Sequence, residues 1–560
     1  MTETSTITSK FSTSYSAPTK GINPHIPPSC DGAKCEAVIQ IGTFFDGTDN
    51  NRRRDEPIYG ETNIARLAES YPDEQHTGVF NLYVNGVGTE FPEIGEKSSS
   101  KFGTAFGRGG FGRILFAMLG VLNSIGLRTL GRQIYSAEQI KSLCCADKSR
   151  QSAAALAQLG REGGLIELEE DDEARENFFF EQLKILEEKI AAAKVEIKEC
   201  ILDVFGFSRG AAQARVFCCW VERLTIGGKL AGIPLTIRFL GIFDTVASAG
   251  IMHSLGNGIV NSTGGHVGWA QSKFLRISPK IKTCVHLVAM HEIRKNFPLD
   301  EVSIDGVVPE NCREFAYPGA HSDIGGGYAP GALGLAAGNG IEGGDALKLS
   351  QIPLRHMMEC AIAAGVPISQ RKDGRFAIAP ALQSAYKRFL DISGSSAKMP
   401  SEWMAPYMAW RWQVRKQYQQ LGHVRRATDD RHHLIDSNDK LLADVSYMGF
   451  RADEEVARRF VIAARTNKKL DLKDPAYRQE EISALDPEAP HVFATARDAP
   501  PVTPELAEFF DNYVHDSLAG FRKHLVEPTG YWRYRRCFRG DDKPRLTESD
   551  GERPKSDSTA

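Results

Sequence analysis

The spacing of hydrophobic and polar positions changes several times along the chain, and each change marks an element. Glu36–Phe45 is an almost continuous apolar run that stops at the turn-rich Asp46–Asn51, which predicts a buried strand followed by a loop. The same pattern predicts strands at Asn81–Val84, Ile201–Phe205, Leu235–Phe243 and Arg313–Tyr317. Between them the spacing turns helical: Ala211–Glu222 is one such stretch, and another precedes Lys198, with Phe178, Phe179, Phe180, Leu183, Ile185, Leu186 and Ile190 as its apolar positions. Further helices are expected at Glu402–Gln420 and Glu454–Lys469. Glycines at 103, 107, 109, 110 and 112 predict a flexible loop over Lys101–Gly112. The apolar stretch Ile114–Leu127, about 14 residues where a membrane span needs about 20, predicts a buried helix or a lid beside an apolar site.

Strands separated by helices predict a mostly parallel α/β sheet folded as a three-layer sandwich. The expected division is a Ser/Thr/Pro-rich arm over residues 1–34, an α/β domain over 35–347 with a helical insertion at about 113–198, and a mainly helical region over 348–560 that docks a membrane or a partner.

Composition narrows the class. The chain has 560 residues, 42% hydrophobic and 25% charged, with 68 basic against 71 acidic side chains. Such a balance gives no global field for nucleic acid. Eleven cysteines, an odd number without a C-x-x-C pair, fit reduced thiols made in a cytosol better than a disulfide framework or a zinc site. Met1–Lys20 lacks the basic and apolar regions of a secretory signal, so export would need another route.

The chemistry centres on Gly206-Phe-Ser208-Arg-Gly210, a G-x-S-x-G motif between a predicted strand and a predicted helix. A turn this tight pushes Ser208 out at the C-terminal edge of the sheet, while Gly206 and Gly210 avoid collisions with its neighbours. A serine hydroxyl needs a base, and the base needs an acid to fix its tautomer. Asp244 follows the strand Leu235–Phe243, and His321 follows the strand ending at Tyr317, giving the order Ser, Asp, His at three strand ends. The backbone N–H groups of Arg209 and Phe45 are the candidate oxyanion donors. Asp46, Asp49 and Asn50 could instead hold a hard cation such as Ca²⁺, although they lack an EF-hand pattern, and no other cofactor is expected. His515, within an expected amphipathic helix Phe509–Phe521, is the rival base. His291-Glu292 is read as a structural hydrogen-bonded pair. Tyr531–Arg539, rich in aromatic and cationic residues, is read as an anchor at anionic head groups or a solvated hairpin.

Gly42–Asn51, Gly86–Thr89, Gly206–Ala211, Phe243–Val246 and His321–Gly327 together resemble the DUF2235 family, and more narrowly the Tle1-type phospholipase effectors of bacterial type VI secretion. The resemblance runs over roughly residues 35–345, with a looser echo at Tyr513–Ser517. It implies an α/β-hydrolase that cleaves glycerophospholipid acyl esters, commonly at sn-2, in the membranes of a rival bacterium. It also implies loading onto a VgrG spike, a cognate immunity protein, and delivery to the target periplasm. The family's nucleophile falls on Ser208, its histidine on His321 and its acid on Asp244. Two alternatives stand beside this reading: a non-catalytic binding module of the secretion apparatus, and a serine esterase of a soluble ester or thioester.

Overall fold

Among the described residues, nine strands organise the computed structural model of the chain: β1 (Ala37–Phe45), β2 (Val79–Val84), β3 (Ile197–Phe207), β4 (Lys229–Leu230), β5 (Ile233–Phe243), β6 (Thr283–Ala289), β7 (Leu299–Asp300), β8 (Cys312–Tyr317) and β9 (Cys537–Phe538). The structure describes residues 37–97, 104–193, 196–247, 266, 268–393, 400–450, 489–521 and 531–540. The expected arm over 1–34 and the helix expected at Glu454–Lys469 lie outside them.

The central sheet runs β2-β1-β3-β5-β6-β8, and every pairing along that path is parallel. β4 adds a short antiparallel hairpin on β5, while β7 and β9 pair in parallel away from the main sheet. The fold is α/β, with helices on both faces and a largely helical C-terminal region. β6 is missing from the strands expected above, although its Thr-Cys-Val-His-Leu-Val-Ala run has the apolar, β-branched character of a buried parallel strand.

Alternation along the strands builds two cores. Leu202 and Val204 of β3 face one side, where Phe111, Leu119, Phe178, Leu186 and Val216 from the helices Thr104–Leu130, Asp172–Ala193 and Arg209–Arg223 cover them. Phe205 and Phe207 face the other, against Ile64, Met357, Tyr386, Tyr407 and Phe510. Each such side chain contributes about 1.5–3 kcal/mol by leaving water. The second core draws on residues from Phe44 to Tyr534, so the C-terminal helices pack against the same sheet as the motif-bearing segments.

Two expectations are corrected. Lys101–Gly112 is not a loop where it is described: Thr104–Leu130 is one helix, and its glycines serve close packing. A Cβ on Gly110 would sit 2.5 Å from the Trp269 ring, and one on Gly112 would sit 2.6 Å from the Cys144 carbonyl. Gly109–Leu130 is long and apolar enough to cross a membrane, but 83% of that window is buried within the fold, as befits a core helix. The helix expected at Glu402–Gln420 ends at Val414 and continues as a 3-10 turn over Tyr418–Gln420.

Candidate active site

β3 ends at Phe207 and the helix Arg209–Arg223 begins two residues later, so the chain must reverse at Ser208 alone. Ser208 does so at φ 59° and ψ −124°, a conformation that costs roughly 1–3 kcal/mol for a residue with a Cβ. Surrounding hydrogen bonds hold it there. Its N–H donates to the Phe243 carbonyl (3.0 Å), and its own carbonyl accepts from Ala211 (3.1 Å), Ala212 (3.3 Å) and Val246 (3.2 Å). A Cβ on Gly206 would lie 2.5 Å from the Gly210 carbonyl oxygen, and one on Gly210 would lie 2.3 Å from the Phe45 carbonyl oxygen, so both motif glycines are sterically required.

Asp244 follows β5 directly and also has positive φ, 43°. Its N–H donates to Leu287 (2.8 Å), and its Oδ1 accepts from the Ala289 N–H (2.8 Å), so the end of the unforeseen strand β6 orients it. His321 opens the short helix His321–Gly325 beyond β8. Its Nδ1 lies 2.5 Å from Asp244 Oδ2, and its ring is held between Phe207 and Phe297 at centroid distances of 4.6 and 4.9 Å. The contact with Phe207 places the imidazole beside the residue that precedes Ser208, with Nε2 as the nitrogen not taken by Asp244. Among the described residues no hydrogen bond links Ser208 Oγ to that ring; such bonds often close only with substrate present. Ser208, Asp244 and His321 are 3%, 0% and 3% exposed, so the site is almost sealed from water.

Sequence reasoning missed Arg535. Its guanidinium grips Asp244 with both arms, Nη1 to Oδ1 at 2.6 Å and Nη2 to Oδ2 at 2.7 Å. This corrects the reading of Tyr531–Arg539: Tyr531, Trp532, Arg533 and Arg535 are buried, so the segment is not a solvated hairpin and its aromatic residues belong to the core. The hint was its aromatic density, which a solvated hairpin would leave exposed.

His515 lies beyond the helix Pro504–Tyr513, not inside one. Its Nδ1 meets Asp323 Oδ1 at 2.6 Å, its Nε2 meets the Ala332 carbonyl at 3.2 Å, and its ring stacks on Tyr328 at 3.7 Å. Both nitrogens are occupied. Glu292 pairs with Arg294 (2.8 Å) and accepts from Ser517 Oγ (2.9 Å) and the His321 N–H (3.2 Å), while His291 Nδ1 accepts from Gly319 N–H (3.0 Å). The His291-Glu292 neighbours are therefore structural, each through other partners.

A second chain of the same residue types, Ser272–His266–Asp300, joins at 2.9 and 2.7 Å. Its serine starts a four-residue helix rather than a strand-end turn, and the other carboxylate oxygen of Asp300 accepts from Ala247 N–H (2.7 Å). It braces the loop after Asp244. His286 does the same two residues earlier: its Nε2 accepts from Thr245 N–H (3.1 Å) while its Nδ1 meets Glu314 (2.8 Å).

Burial by itself would raise the Asp244 pKa, but the Arg535 charge and the His321 hydrogen bond outweigh it and hold the carboxyl well below the usual range. Burial lowers the His321 pKa, and this outweighs the opposing bond from Asp244. The pair is thus a carboxylate beside a neutral imidazole. Arg209, at the first turn of the helix after Ser208, has its pKa lowered to about 10 by burial. Phe45 ends β1, with its carbonyl against Gly210.

Asp46 is buried with both oxygens occupied: Thr62 Oγ1 (2.7 Å) and Gly47 N–H (2.7 Å) donate to Oδ1, and Tyr83 to Oδ2. Asp49 pairs instead with Arg54 at 3.1 Å. Among the described residues no group of three or more His, Cys, Asp or Glu is arranged to hold a metal ion. The nine described cysteines are all free thiols, most of them buried.

A serine at a strained strand-to-helix turn, with a histidine–carboxylate pair contributed by two further strand ends of the same parallel sheet, is the arrangement of the α/β-hydrolase class. Residues 228–360, which include Asp244 and His321, match the family model described as the catalytic domain of Tle1-like phospholipase effectors of the type VI secretion system. A crystal structure of an uncharacterized protein from Pseudomonas aeruginosa shares this fold, with a TM-score of 0.61 at 24% identity over 90% of this chain and 80% of that one. The Tle1 effector bound to the VgrG spike is similar at 19% identity over 63% of this chain and 79% of that one; its TM-score of 0.32 is too low to carry an argument. Comparison with curated proteins gives no match.

Proposed function

We propose that the chain is an antibacterial type VI secretion effector that hydrolyses acyl esters of glycerophospholipids, sn-2 favoured, with Ser208 as nucleophile. The observation that carries the reading is the buried His321–Asp244 pair, 2.5 Å apart, beside a serine held at φ 59°. The family match at 228–360 supports a phospholipid as the substrate.

In the proposed reaction His321 Nε2 takes the Ser208 Oγ proton as that oxygen attacks the acyl carbonyl. Asp244 keeps the proton on Nδ1 and stabilises the imidazolium that forms. The N–H groups of Arg209 and Phe45 are the proposed donors to the oxyanion. Collapse of the tetrahedral adduct breaks the ester bond, and His321 returns the proton to the leaving lysophospholipid oxygen. Water, activated by the same imidazole, then releases the fatty acid and regenerates Ser208. Loading onto a VgrG spike, release into a target cell's periplasm and neutralisation by an immunity protein belong to the same reading.

The test is mass analysis of products from mixed phospholipid vesicles. The wild type should yield lysophospholipid and free fatty acid, and Ser208→Ala should lower the rate by on the order of 10⁴-fold or more. Undiminished release by that variant overturns the mechanism. Absence of Ser208 labelling by a fluorophosphonate would favour a binding module, and preference for a monomeric soluble ester would move the substrate away from membranes.

A further inference from the structure

We infer that Arg535 is a positioning residue for the hydrolysis: its guanidinium orients Asp244 and offsets the carboxylate charge that faces the His321 imidazole. The inference rests on the assignment of Ser208, His321 and Asp244 proposed above.

The geometry is that of a fixed clamp. Arg535 is 3% exposed, and four of its five N–H bonds have identified acceptors. Nη1 reaches Asp244 Oδ1 (2.6 Å) and the Ala289 carbonyl (3.2 Å), Nη2 reaches Asp244 Oδ2 (2.7 Å), and Nε reaches the Phe297 carbonyl (2.9 Å). Its own N–H meets Met404 Sδ at 3.1 Å, and two residues on, Cys537 begins β9, paired with β7. A planar fork held at this many points fixes both carboxylate oxygens, which a point charge such as lysine would not.

Asp244 Oδ2 is shared. It accepts from His321 Nδ1 on one side and Arg535 Nη2 on the other, so the guanidinium lies one carboxylate oxygen from the imidazole. In a site nearly closed to water, a fixed cation at that range disfavours the imidazolium. Among the described residues, the other charged groups facing the ring are Glu292, whose carboxylate accepts the His321 N–H, and Arg294, paired with Glu292. Asp323 lies on the same short helix but is engaged by His515. Glu292 and Arg294 offset one another, as Asp244 and Arg535 do, and the ring sits between two neutralised pairs. Burial then dominates and pushes the His321 pKa down.

The sign follows. Removing the Arg535 charge leaves the Asp244 carboxylate unopposed, the imidazolium becomes more stable, and the His321 pKa rises. The acid limb of the kcat/KM profile should therefore move to higher pH in Arg535→Gln, while kcat at the optimum falls about 10- to 100-fold because the carboxylate is no longer held in register. KM should change little. Arg535→Lys retains the charge without the fork, so it should leave the limb near the wild-type position while kcat still falls.

The experiment measures pH–rate profiles of the full-length wild type, both variants and Ser208→Ala on phospholipid vesicles, with circular dichroism to verify folding. A shifted limb in Arg535→Gln and a near-wild-type limb in Arg535→Lys support the inference. A folded Arg535→Gln with unchanged limb and kcat overturns it. Should Arg535→Gln not fold, Arg535→Lys decides: loss of kcat at an unmoved limb supports the clamp, and wild-type kcat overturns it. Full activity in Ser208→Ala instead sinks the nucleophile assignment, whatever Arg535 does.

Discussion

The two sides of the candidate site are built in different ways. On the serine side everything is local: the strained turn, the two glycines and the following helix lie within Gly206–Ala212, and the bonds to Phe243 and Val246 come from the adjacent strand end. The acid–base side is assembled from far along the chain. Asp244 is clamped by Arg535, the Asp323 of the His321 helix by His515, and Glu292, which receives the His321 N–H, by Ser517. A nucleophile needs only a sharp turn, whereas a buried carboxylate needs a counter-charge, which a parallel sheet edge does not supply.

Asp244→Asn tests that difference most severely. Loss of the acid should lower kcat by about 10⁴-fold, since the amide no longer fixes the imidazole tautomer. It also leaves the Arg535 guanidinium buried without a counter-charge, which costs about 3–5 kcal/mol of fold stability. Ser208→Ala should match it in lost activity but not in lost stability. Urea unfolding of the two variants makes the comparison, and equal midpoints would show that the acid side carries no structural charge pair.

How far the site could be read from the sequence follows the same division. Ser208 and its glycines announce themselves within five residues, because the turn's demands are steric and local. The strands β1, β3, β5 and β8 were readable from apolar runs, which fixed the order of the three strand-end residues. β6 passed unnoticed, and with it the Ala289 N–H that orients Asp244. Arg535 could not be found by spacing, since its partner is 291 positions away. Its aromatic neighbours suggested a surface anchor when they were core. The glycines of Thr104–Gly112 misled for a related reason: a missing side chain signals either freedom or contact, and here Trp269 and Cys144 decide for contact.

His515 offers a milder test. It supports the acid–base side from outside, so His515→Ala should remove the bond to buried Asp323, worth about 1.5–3 kcal/mol, and loosen the helix that carries His321. The rate should fall roughly 10- to 100-fold, the scale of a small misplacement of a reacting group. If His515 were itself the base, its loss would instead match that of Ser208→Ala. Vesicle hydrolysis rates of both variants at one pH separate these outcomes.

The smallest effect concerns pH and stability rather than rate. His291 is buried against Tyr407, and burial lowers its pKa to about 3, so in the folded protein it stays neutral where an unfolded imidazole, near 6.5, takes up a proton. The folded state binds fewer protons between those two values. The stability present above about pH 6.5 is therefore lost on acidification, by up to about 1.4 kcal/mol per pH unit from this group. His291→Phe keeps a ring against Tyr407 and loses the acceptor for the Gly319 N–H, so it should be less stable by roughly 1–3 kcal/mol at pH 7. Between pH 6.5 and 5, however, its unfolding free energy should fall less steeply than the wild type's, by up to about 2 kcal/mol over that interval. Urea unfolding at several pH values reads the slope. Parallel slopes would mean that His291 titrates alike in both states, and that the core behind the acid–base side admits water.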